Sequence, residues 1–151
     1  MAKQKKYVDI ELVMVDLMYV GQKIERRVSD LLKEYALTMP QYNILRILRG
    51  AETSLSMGEV KDRMIFGTSD VSRLVDRLVK KEFLSRQICS DNRRKMDVCI
   101  TPKALTVLEE IDEAMDKNLF PDFQKRLESE TVKSIRKGLE DIRGVLDDRQ
   151  T

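Results

Sequence analysis

The chain contains no histidine. Zinc sites that use imidazole, Ser-His-Asp triads, Cys-His pairs and imidazole acid-base catalysis are therefore excluded. Its two cysteines, Cys89 and Cys99, are too few for a thiolate metal cage and do not form a C-x-x-C pair. Glycine is scarce, at six residues, and none of it is arranged as a phosphate-binding loop. Neither a metal nor a cofactor is expected. No apolar run approaches the ~20 residues of a membrane span. Lys3, Lys5 and Lys6 lead into a segment broken by Asp9, Glu11 and Asp16, unlike a signal sequence, so a cytoplasmic protein is expected.

What is present suits one mostly helical domain spanning residues 1–151. Charged residues make up 36% and apolar residues 42%, with 5% aromatics and three prolines, a balance typical of soluble helical proteins. Paired carboxylates such as Glu109 and Glu110 read as a solvated helix face rather than an acid-base site. The net charge of +2 is unevenly spread. Residues 61–95 hold ten cations against five anions, so the middle of the chain is basic and the remainder acidic. Such a segregation fits one surface that meets a polyanion, although a solvated basic face would look the same.

Apolar spacing gives the organisation. Leu17, Val20, Ile24, Val28 and Leu31 step by three and four, predicting a first helix over 8–34. Thr38 or Met39 then caps a second helix, with Pro40 in its first turn and Gly50 closing it. Ser56 and Glu59 form a capping box for a short third helix with Met57, Val60 and Met64 on its buried side. Phe66-Gly67-Thr68 turns into a fourth, TSDVSRLVDRLVKKEF. Its Val71, Leu74, Val75 and Leu78 fall on one face, and Ser69, Asp70, Ser72, Arg73, Asp76, Arg77 and Lys80 on the other. Beyond Phe83, residues Leu84, Arg86 and Ile88 alternate with Ser85, Gln87 and Cys89. Val98 and Ile100 likewise alternate with Asp97 and Cys99, predicting a β-hairpin. Its tip, SDNRRK, carries Arg93, Arg94 and Lys95, and Thr101-Pro102 caps a further helix.

Two short helices joined by a tight glycine-containing turn, followed by a basic hairpin, have the form of a winged helix-turn-helix. The succession LTMPQYNILRIL, SMGEVKDRM, TSDVSRLVDRLVKKEFLSR, DNRR and VCITPKA resembles the multiple-antibiotic-resistance regulator (MarR) family over about residues 10–147. The resemblance implies a mainly α fold with a small β-hairpin wing. Residues 37–101 would form the DNA-binding region, and 8–34 and 102–147 the dimerisation helices. It further implies a sequence-specific transcription regulator, homodimeric on an inverted-repeat operator, often a repressor released by a small-molecule effector or by thiol oxidation. Some positions depart from the family pattern. Asn92 stands where the wing carries an acid two residues before Arg94, and Glu82 and Ala104 stand where glycine is usual. The family's reactive thiol lies in the first helix, which has no cysteine here.

On that reading the fourth helix enters a major groove. Ser69, Asp70 and Ser72 would approach bases or phosphates at its N-terminus, and Arg73 and Arg77 would pair with phosphate or read guanine. Arg93, Arg94 and Lys95 supply the wing, and by resemblance Arg94 enters the adjacent minor groove. Asp76 is expected to pair with Arg77, Arg86 or a wing arginine. Near the C-terminus Val132, Ile135, Leu139, Ile142 and Leu146 form a seam like that of a coiled coil. This seam, with Leu17, would bury itself within its own chain or across a two-fold axis. Methionines such as Met14, Met18, Met39 and Met115, with Tyr19, Tyr35 and Tyr42, would fill the core or line an effector cavity. Cys89 and Cys99 share a strand parity that points away from the core. A different class remains open: a winged-helix module that binds protein rather than DNA, or a small helical enzyme without histidine.

Overall fold

The computed structural model describes residues 5–65, 70–88 and 96–147, with side chains from residue 9 onward. The chain divides into two compact units, Met1–Asp112 and Glu113–Thr151. The first holds α1 (Lys5–Leu32), α2 (Met39–Ala51), β1 (Leu55–Ser56), α3 (Met57–Arg63), α4 (Val71–Lys80), β2 (Leu84–Ile88), β3 (Met96–Ile100) and the start of α5 (Pro102–Asn118). The second holds α6 (Phe120–Gln124) and α7 (Ser129–Asp147). The mainly helical architecture with a small hairpin is the one the sequence predicts.

The helix starts are those written in the sequence. Thr38 and Gln41 close a reciprocal capping box at α2, Ser56 and Glu59 another at α3, each satisfying backbone N–H groups that have no partner inside the helix. Thr101 accepts from the Ala104 N–H at 3.2 Å and so caps α5.

The helix ends are less ordinary. After α1 a single 3-10 turn, Lys33–Tyr35, leads to Ala36 at φ 52°. Its N–H donates to the Lys33 carbonyl at 3.0 Å and the Leu37 N–H to the Leu32 carbonyl at 3.1 Å. The same pair of bonds ends α4, where the N–H groups of Glu82 and Phe83 donate to the Val79 and Leu78 carbonyls, each at 2.9 Å, with Glu82 at φ 61°. Both are Schellman turns, completed by a buried apolar residue after the left-handed position, Leu37 or Phe83. Gly50 does not close α2 as its type suggested. The helix runs through it to Ala51, and Glu52 at φ 56° turns the chain, because Leu55 must come back to pair with β3.

The sheet has the order β1-β3-β2 and is antiparallel throughout. β2 and β3 pair from Leu84↔Ile100 to Ile88↔Met96, the predicted hairpin. The two-residue β1, Leu55↔Val98 and Ser56↔Asp97, is an addition that pins the loop after α2 to the root of the wing. Leu84 and Val98 share the buried face, while Arg86, opposite Val98, is exposed.

The core of the first unit is built from Ile44, Leu45 and Leu48 of α2, Val60 of α3, Val71, Val75 and Leu78 of α4, and Leu108 and Ile111 of α5. One polar residue inside it has a positional task. Asn43 is buried, and its Oδ1 accepts from the Ile65 N–H at 2.9 Å. A side chain on α2 thereby holds the chain where it leaves α3 for α4.

Two outcomes follow for stability. Ala36→Gly should raise the melting temperature, because glycine relieves a left-handed strain of ~1–2 kcal/mol while its extra unfolded-state entropy offsets only part of it. A lowered melting temperature would show that Ala36 is not strained. Asn43→Ala should destabilise by ~1–3 kcal/mol by leaving the Ile65 N–H unpaired, a loss that denaturant titration checks.

Candidate nucleic-acid interface

α4 presents the strongest candidate surface. Asp70 caps it: Oδ1 accepts from the Arg73 N–H at 3.4 Å, and Oδ2 lies 3.2 Å from Arg73 Nε. Val71, Val75 and Leu78 point into the core, and the helix packs on α2 and α3. Burial on that side fixes the rotation of the helix, so Ser72, Arg73, Asp76, Arg77 and Lys80 all face solvent. Ten residues give an exposed ridge roughly 15 Å long, matched to a B-DNA major groove about 12 Å wide. At the other end Lys81, beyond the last turn, donates to the Ala36 carbonyl, tying the close of α4 to the close of α1.

The charged side chains of this ridge are not equivalent. Arg73, with 78% of its side chain exposed, is held along the helix by Asp70. Asp76 is paired with Arg86 of β2, the second of the three partners the sequence allowed. Arg77 and Lys80 are in no ion pair among the described residues. The two outer cations are thus available, and both acids are neutralised locally. Ser69, Arg93, Arg94 and Lys95, like Asn92 and Cys89, lie outside the described residues.

Several contributors carry no motif. Asn43 sets the exit from α3, and Arg49 of α2 bridges to Asp112 of α5 at 2.7 Å. Lys103 donates to the Lys81 carbonyl at 3.0 Å and to Glu82 Oε2 at 2.8 Å, with its ammonium 5.6 Å from the centre of the Phe83 ring. Lys103 holds the Glu82 carboxyl below its ordinary range, so the pair stays ionised at neutral pH and is lost only as the solution becomes acid. Thr101 Oγ1 donates within the same turn, 2.7 Å from the Glu82 carbonyl. The sequence hints of this cluster were Thr101 as a helix cap and Glu82 and Ala104 in glycine positions.

The candidate dimerisation residues are apolar and largely open. Val132, Ile135, Leu139 and Leu146 of α7 are exposed and Ile142 is half-buried; α7 has no buried residue. On α1, Leu17 is half-buried while Ile10, Val13, Met14, Val20 and Ile24 are exposed. Cys99 lies on the face of β3 opposite Val98, as its parity requires. It is nevertheless half-buried, because the end of α2 and the start of α5 wall that face into a cavity of about 390 Å³. Leu48, Arg49, Ser54, Ile100 and Leu105 also line it. Met14, Met18, Met39, Tyr35 and Tyr42 do not; Tyr42 is buried in the core, where loss of solvent pushes its phenol up.

Among the described residues no helix is long and apolar enough to cross a membrane. Residues 37–96 match the MarR family model. The chain is similar to the HTH-type transcriptional regulator MgrA of Staphylococcus aureus, 27% identical over 108 residues, 71% of this chain and 73% of that protein. It is also similar to the HTH-type transcriptional regulator YsmB of Bacillus subtilis, 25% identical over 95 residues; the match spans 64% of that relative, just under two thirds. Among solved structures, the transcriptional regulator BldR of Sulfolobus solfataricus superposes with a TM-score of 0.77 at 26% identity, over 93% of this chain and 99% of that one. A mutant MarR from E. coli in complex with operator DNA shares the fold, with a TM-score of 0.76 and 21% identity over 92% of this chain and 99% of that one. The capped α2 and α3, the groove-sized α4, the hairpin at its end and these likenesses converge: residues 37–96 match the MarR family, and the chain is similar in sequence and fold to winged helix-turn-helix transcription regulators.

Proposed function

We propose that the protein is a cytoplasmic homodimer that binds duplex DNA at an inverted repeat and represses transcription by occupying its site. The observation that carries this reading is α4, whose buried face is fixed on α2 and α3 while its outer face offers Ser72, Arg73, Arg77 and Lys80 to solvent. A helix of that size and polarity suits the major groove. The DNA-bound MarR supports it by analogy of fold. Ser69, Asp70 and Ser72 serve the start of the helix, Asp70 chiefly as its cap, and Arg93, Arg94 and Lys95 serve the wing.

The homodimer is supported by exposed seams on two long helices. α7 leaves Val132, Ile135 and Leu139 open along its length, and a helix with no buried face gains nothing from tertiary packing. A second copy covering these seams, with Leu17, Ile142 and Leu146 among them, would place two α4 helices on successive grooves. A small-molecule response is supported by the cavity beside β3, since a ligand there would press on a strand that leads to the wing.

Arg77→Ala should weaken binding to every duplex and flatten the log-log salt dependence by about one unit. Arg73→Ala should weaken it less, because Asp70 already competes for that guanidinium. Equal effects in fluorescence-anisotropy titrations over a salt series would remove the distinction. Leu139→Asp should leave a monomer in sedimentation at micromolar concentration and abolish tight operator binding; retention of both would place the seam inside one chain.

A further inference from the structure

The two acids on the outer half of α4 serve different ends. Asp70 is engaged by its own helix, as cap and as partner of Arg73. Asp76 has no such local task. It lies on the face that would approach phosphates, where a bare carboxylate opposes binding, and it is paired across elements with Arg86. Arg86 is the third residue of β2 and stands opposite Val98, which is buried. Its backbone is therefore fixed by the core while its guanidinium reaches back to the helix.

The hairpin has a second fastening, at its root. Thr101 and Lys103 bind the carbonyls and carboxylate around Glu82, and the Thr101 N–H donates to the Phe83 carbonyl at 3.1 Å. All these bonds lie at or before the first residue of β2. Farther out, β1 holds the β3 side of the hairpin at Val98 and Asp97, whereas β2 is the edge of the three-stranded sheet and has no strand beyond it. The Asp76–Arg86 pair sits about 7 Å farther out, two residues beyond Leu84, and closes a triangle between α4, the turn and β2.

We propose that Asp76 is a positioning residue that, through Arg86, sets the angle between the recognition helix and the wing, so that both engage one duplex together. The proposal rests on the DNA-binding reading of α4 and goes beyond it. The acid strengthens binding to an anionic partner, and Arg86 acts as a strut rather than a phosphate ligand. Both side chains are about half exposed, so changing them leaves the core intact.

The test is a cycle of Asp76→Asn, Arg86→Gln, the double variant and the exchanged pair Asp76→Arg with Arg86→Asp. Each is titrated at one salt concentration against a labelled duplex that the wild-type protein selects from a random pool. Asp76→Asn should weaken binding about fivefold although it removes a negative charge, as expected for loss of an oriented pair. The double variant should be no weaker than either single one, and the exchanged pair should return to within about twofold of wild type. Tighter binding by Asp76→Asn would overturn the proposal, since the acid would then only repel DNA. So would additive single losses, or an exchanged pair as weak as the singles. Hydrogen exchange without DNA gives a separate arm: Asp76→Asn should speed exchange of the β2 amides and leave α2 unchanged, and unaltered β2 exchange would sink the strut. If the wild-type protein selects no duplex, the functional reading fails, and this arm still decides whether the strut exists.

Discussion

The burial of one side of α4 is the constraint on which the remaining features depend. Val75 and Leu78 are wholly enclosed and Val71 nearly so. In a helix these positions lie on one stripe, so enclosing them leaves no freedom of rotation. Every other side chain of the helix inherits its direction from that packing. A change that loosened Val75 would scatter the outer residues without touching any of them, because a cavity in a close-packed interior is relieved by shifts of whole elements.

A second layer of order comes from the helix ends. Among the described residues, Ala36, Glu52 and Glu82 adopt left-handed backbone conformations, which is uncommon for non-glycine residues and persists only where the surroundings compensate. Here the compensation is partly cationic. Lys81 donates to the Ala36 carbonyl, and Lys103 to the Lys81 carbonyl and the Glu82 carboxylate. Ammonium groups near helix C-termini also complement the carbonyl ends of the helix dipoles. The close of α1, the close of α4 and the start of α5 are thereby stitched into one junction, directly behind the hairpin.

Much of this was legible in the sequence, and the remainder divides by physical cause. Caps are local: Thr38 with Gln41 and Ser56 with Glu59 act over three residues and could be read directly. Amphipathic periods are local too, so the longer helices and the hairpin could be read, whereas the five-residue α6 is too short to display one. β1 was missed because two residues cannot display a period, and its pairing with Val98 joins positions far apart in the chain. Gly50 misled because residue type signals a helix end only where the backbone needs it. On the ridge, sequence spacing identified Arg73, Arg77 and Asp76 as one face but could not choose the partner of Asp76, since Arg77, Arg86 and the wing were all within reach of a long side chain. The Asn43 bond to Ile65 gave no signal, as a buried asparagine looks like any polar residue until its neighbour across the fold is known.

The first helix is anchored at one end. Of its described side chains only Val28 and Leu32 are buried, both in the last two turns of a helix roughly 42 Å long. Mechanically it is a cantilever. In such a rod any angular fluctuation at the base is magnified toward Ile10, along a stretch that carries many exposed apolar side chains. Whatever grips that far end confines the whole rod at once, and a contact of modest area there removes a disproportionate share of the motion transmitted to the base, where α1 meets α2.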